Sequence, residues 1–130
     1  MVQRTKRATG KINITKIEQT PYDETGGPRI LEIQAAEEFI GDLAGVGTVR
    51  FLFVSRADGS ASFAGVERFS GELDGCPGTF ILQNSGTLDG GEVSGSWFVV
   101  PGSGTEGFTG LRGEGGFRTE IGFFLDYWFE

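Results

Sequence analysis

Asp58-Gly59-Ser60-Ala61-Ser62-Phe63-Ala64-Gly65-Val66-Glu67-Arg68-Phe69-Ser70-Gly71-Glu72-Leu73-Asp74-Gly75 decides the fold. From Ala61 to Ser70 the residues alternate with period two, the signature of a strand with two different faces. An Asp-Gly pair stands at each end. Asp-Gly favours type I′ turns, whose twist suits antiparallel hairpins. The stretch therefore predicts one strand entered and left by tight reversals.

The same grammar extends in both directions. Val49-Arg50-Phe51-Leu52-Phe53-Val54-Ser55 carries apolar residues on both faces, which predicts a strand covered on both sides. Asp89-Gly90 repeats the turn signal, and Ile121-Gly122-Phe123-Phe124-Leu125-Asp126-Tyr127-Trp128-Phe129 alternates again. Strands are expected near 8–19, 29–41, 45–55, 60–73, 78–88, 92–101, 105–118 and 120–129. The rival to this pattern is Glu32 to Ile40, whose Ala and Glu content favours helix. Its flanking Pro28 and Gly41 permit either state, and it is read as strand. The last strand is long and aromatic, so leaving its edge unpaired would invite aggregation. Pairing it with the first strand, which carries Ile12, Ile14 and Ile17, closes the sheet. Gly65, Gly71, Gly86 and Gly95 inside strands suit the bends of a tight barrel. The fold class is thus all-β, an eight-stranded antiparallel barrel, with 1–130 as one domain and 1–7 as a flexible N-terminal tail.

Composition removes several functions. The 130 residues contain no histidine and one cysteine, Cys76. A Ser-His-Asp or Cys-His device is therefore excluded, and no transition-metal site is expected. No internal disulfide can form, which points to the cytoplasm. Eleven Lys and Arg against 18 Asp and Glu give a net charge of −7. That argues against nucleic acid as a partner, because phosphate binding needs clustered cations. Arg4, Lys6 and Arg7 form the basic cluster, on a terminus expected to fray. No apolar run reaches membrane-span length or follows the basic start, so neither a span nor a signal peptide is expected. No cofactor is implied.

Pro101-Gly102-Ser103-Gly104-Thr105-Glu106-Gly107-Phe108-Thr109-Gly110-Leu111-Arg112-Gly113-Glu114-Gly115 resembles the glycine-rich stretch of the allene oxide cyclase-like barrel superfamily. Within it the chain looks most like a bacterial family of unknown function. The matching pieces are Pro21-Tyr22, Gly26-Gly27-Pro28, Asp58-Gly59, Gly65-Val66-Glu67-Arg68, Phe80 to Gly86, and Val99 to Gly104. The resemblance covers residues 8 to 130 and implies an eight-stranded barrel. The better-known relatives, allene oxide cyclases and dirigent proteins, guide cyclisation or coupling of reactive small molecules inside an apolar barrel.

Glu67 is the leading candidate catalytic residue. It shares a strand face with Phe63, Gly65 and Phe69, where desolvation would raise its pKa into the range useful for acid–base work. An outward face, or pairing with Arg68 or Arg112, would leave it inert. Tyr127 is the second candidate, with a hydroxyl that must find a partner if buried. A hydrogen bond to Glu67 would make the two a proton-transfer pair. Phe63, Phe69, Phe80, Asn84 and Trp97 are candidate ligand-binding residues. Asn84 shares a face with Phe80 and Leu82, so its amide can orient a ligand. Gly102-Ser103-Gly104 serves a sharp reversal and lacks a phosphate-loop ending.

The expected function is binding of a small apolar molecule inside the barrel, with cyclase or isomerase chemistry as its active form. The alternatives are a lipocalin-like binder without chemistry, and a barrel packed solid that acts through its surface or as an oligomer. A homodimer is expected, because apolar outer faces invite a partner.

Overall fold

The computed structural model describes residues 4–130. Eight strands follow in chain order: β1 Lys6–Asp23, β2 Arg29–Gly41, β3 Leu43–Ser55, β4 Ala61–Leu73, β5 Cys76–Asp89, β6 Glu92–Val99, β7 Leu111–Arg118 and β8 Gly122–Phe129. Each pairs antiparallel with its neighbour, and β8 pairs with β1 to close the ring. The Glu32–Ile40 run is strand: its register with β3 runs unbroken from Arg29↔Ser55 to Phe39↔Gly45. Pairing on both sides outweighs its helix propensity.

The turns follow the sequence with one shift. At Asp74-Gly75 both residues have positive φ, 53° and 78°, as a type I′ turn requires. At the next hairpin Asp89 pairs with Glu92, so Gly90 and Gly91 are the turn residues, with φ of 60° and 81°. Asp58 instead accepts hydrogen bonds from the Ser60 N–H and hydroxyl at 2.9 and 2.6 Å, within a longer reversal.

Two expectations about the chain need correction. The strand anticipated over 105–118 begins at Leu111. Residues 101–110 cross one end of the barrel instead, through a 3₁₀ turn at Glu106–Phe108. Phe108 is fully buried there, with its ring 5.2 Å from Phe80 and 6.4 Å from Phe69. Burying that ring favours a plug over an extension of β7. The basic end of the chain is also more ordered than expected. Lys6 and Arg7 pair with Tyr127 and Asp126, and the Arg7 guanidinium donates to both Asp126 oxygens at 2.7 and 2.9 Å. The first three residues of the expected tail lie outside the described residues.

The inward faces divide the barrel in two. At the plugged end Phe39, Leu43, Phe69, Phe80, Leu82, Phe108, Leu111 and Leu125 form a solid core. The other end is open. Strand β1 pairs with β8 over Lys6–Gly10, so among the described residues its second edge has no strand beside it from Lys11 onward. A slit results between that edge and Arg118–Gly122. On the outer wall Leu52, Val54 and Val66 are exposed, so strand 49–55 is covered on one face within a single chain.

Candidate functional site

Two glutamates meet inside the barrel. Glu67 stands on the inward face of β4 with Phe63, Gly65 and Phe69, opposite Val49 of β3 and Leu82 of β5. It is 1% exposed. Glu37 stands on the inward face of β2, opposite Gly47 of β3. Gly47 is what lets them meet. A Cβ there would overlap Glu67 Oε2 and lie 3.0 Å from both Glu67 Cδ and Phe39 Cε1. The missing side chain leaves a gap across β3 through which the carboxyl of Glu67 reaches that of Glu37.

Burial pushes the Glu67 carboxyl up to about 10, and the hydrogen bond and charge of Glu37 add to the rise. Oε2 of Glu67 is buried and meets no donor among the described residues. Two carboxyls can hydrogen-bond only if a proton lies between them, so the missing donor and the raised pKa describe one state: the pair keeps a proton. The arginines that could have neutralised Glu67 are elsewhere. Arg68 faces outward, and Arg112 donates to Glu130 at 2.6 Å.

The pair lies beside a cavity. The open end of the barrel forms a half-open cavity of about 630 Å³, lined by Phe51, Phe53, Phe63, Phe117, Ile33 and Leu88 among others, and Glu37 is the deepest residue that β2 contributes. Such a volume suits a small organic molecule. Phe53 and Phe63 stack at 4.9 Å, with Phe51 edge-on to Phe63 at 5.1 Å. The facing glycines Gly86 and Gly95 admit the rings of Phe63 and Phe117, which a Cβ at either position would strike. Glu67 sits one layer deeper than the cavity wall, behind Glu37, against Gly47 and Phe39.

The other expected site residues are scattered. Phe63 lines the cavity. Phe69, Phe80 and Trp97 belong to the solid core, and the Trp97 indole N–H donates to the Phe124 carbonyl at 3.0 Å. Asn84 points inward at 4% exposure, and its Oδ1 has no hydrogen-bond partner among the described residues. Tyr127 is buried near the plugged end, where burial and the nearby Asp74, Asp42 and Cys76 push its hydroxyl up. The structure records no hydrogen bond from it to Glu67. The partner of Glu67 is therefore Glu37, which the sequence reading missed. The signal was present: Ile33, Ala35, Glu37 and Phe39 alternate on one face, inside the run whose Ala and Glu content obscured it. Among the described residues no three His, Cys, Asp or Glu side chains come close enough to hold a metal ion.

Comparison with known proteins gives a family without a function. Residues 8–130 match the model of a protein family of unknown function, DUF3224. The crystal structure of a DUF3224 protein of unknown function from Shewanella oneidensis MR-1 superposes with a TM-score of 0.77 at 29% identity, covering 98% of each chain. No curated protein matches the chain. The chain belongs to the DUF3224 family.

Proposed function

We propose that this DUF3224 barrel binds a small, largely apolar molecule in its open-end cavity and sets the molecule's polar group against the Glu37–Glu67 pair. The carrying observation is the coincidence of an aromatic cavity of about 630 Å³ with a carboxyl, that of Glu37, which lines it and is backed by the buried carboxyl of Glu67. Holding a buried carboxyl against a second one costs stability, and a fold with no use for the pair would do better with an apolar side chain in place of Glu67. The pair also suits proton transfer. Glu37 faces the cavity and takes or gives a proton, while Glu67 behind it holds one in reserve. Moving a proton from one carbon or oxygen of the ligand to another needs no metal and no redox partner, so isomerisation or cyclisation is the reaction class that fits. The resemblance to allene oxide cyclase-like barrels supports this by analogy of fold.

The test is binding of the neutral dye N-phenyl-1-naphthylamine, followed by its fluorescence. Ala35 lines the cavity, so Ala35→Phe fills it. Micromolar binding to the wild-type protein that Ala35→Phe abolishes, with the fold intact by circular dichroism, is the expected result. Equal binding to both proteins places the dye on the outer wall and removes the reading.

A further inference from the structure

We propose that the ligand of the open-end cavity is a lipophilic amine, bound as its ammonium ion with the charge against Glu37 and the apolar body among the phenylalanine rings. The inference rests on the binding reading above and names its ligand class.

The floor of the cavity is a carboxyl, that of Glu37. Its oxygens accept hydrogen bonds, and the Thr119 hydroxyl beside the cavity is spent on the Val93 carbonyl at 3.3 Å. A ligand that brings only a carbonyl adds another acceptor. A ligand that brings N–H groups supplies what the site is short of. A cation also compensates a carboxylate in a partly enclosed site far better than a neutral donor does.

The walls agree with the floor. Phe51, Phe53, Phe63 and Phe117 surround the space above Glu37. Aromatic faces attract cations, and cages of such rings recognise ammonium groups in low-dielectric sites. The cations at the rim are engaged elsewhere. Lys11 Nζ donates to the backbone carbonyls of Glu120 and Ile121 at 2.9 and 3.0 Å, and Arg118 pairs with Glu92. Neither neutralises Glu37. The overall charge of −7 draws cations toward the molecule as well.

The test compares 2-(naphthalen-2-yl)ethylamine with 2-(naphthalen-2-yl)ethanol, which share a shape and differ in charge. Calorimetric titration at pH 7 should show the amine binding at least about ten-fold tighter than the alcohol, the worth of one desolvated charge contact. The preference should survive 0.5 M salt, which screens surface charge and leaves a buried pair largely untouched. Glu37→Gln should lose the preference and bind the two compounds alike. Equal affinities in the wild-type protein overturn the amine and leave apolar binding standing. A preference that vanishes in salt, or persists in Glu37→Gln, also overturns it. If neither compound binds, both readings fall. Should Glu37→Gln not fold, the wild-type comparison at two salt concentrations decides.

Discussion

Replacing Glu67 by glutamine should stabilise this protein at neutral pH and leave it unchanged in acid. The unfolded chain ionises this carboxyl near the ordinary value of 4.5, whereas the folded barrel holds it protonated up to about 10. Between those values the folded state binds a proton that the unfolded state has released. The stability contributed by that proton is fully present below 4.5 and is lost as pH rises toward the folded value. Each pH step above 4.5 costs about 1.4 kcal/mol, so by pH 7 the loss reaches about 3 kcal/mol. Glu67 is 1% exposed, so solvent screening does little to reduce this. Glutamine keeps the shape, offers N–H donors to Glu37 and cannot ionise. Thermal melts of both proteins at pH 4, 5.5, 7 and 8.5 provide the assay. The expected result is coincident midpoints at pH 4 and a gap that widens with pH, reaching on the order of 10 °C at pH 7 for a domain of this size. Parallel curves at all four values would falsify the proton-holding pair and make Glu67 an ordinary structural residue.

Three further outcomes follow from the same geometry. Gly47→Ala should lower the urea midpoint by an amount equivalent to about 1–3 kcal/mol, because its methyl drives into Glu67 and Phe39. An unchanged midpoint would mean the carboxyl does not cross β3. Asn84→Leu should raise the melting temperature, since it removes a buried acceptor whose lack of a partner costs about 1–3 kcal/mol. A lowered melting temperature would show that the amide has a partner. The exposed Leu52, Val54 and Val66 on the outer wall lead us to propose a homodimer, which sedimentation at tens of micromolar will show or exclude.

The fold was legible because strand signals are local. Asp74-Gly75 and the Ala61–Ser70 alternation each settle a reversal or a face within a few residues, and the aromatic last strand demanded closure. The errors lie where tertiary packing decides. Nothing near Phe108 says that the core has room for its ring, so a plug reads as strand. The site divides the same way. Glu67 was readable because its neighbours Phe63 and Phe69 fix its face. Glu37 was not, because the Ala-rich run around it hides the alternation. Their meeting depends on Gly47, a residue whose contribution is the absence of a side chain on a third strand. Tyr127 shows the limit of face reading: the inward side was right, but depth along the barrel separates it from Glu67, and only register supplies depth.

The most direct measurement is the carbon-13 chemical shift of the Glu67 side-chain carboxyl, assigned by its disappearance in Glu67→Gln and followed by NMR from pH 3.5 to the highest pH at which the protein stays folded. A signal that holds the protonated position through pH 7 is the predicted result, with the change confined to alkaline pH. A titration centred near 4.5 would contradict the account, because the carboxyl would then be solvated and no proton-holding pair would face the cavity.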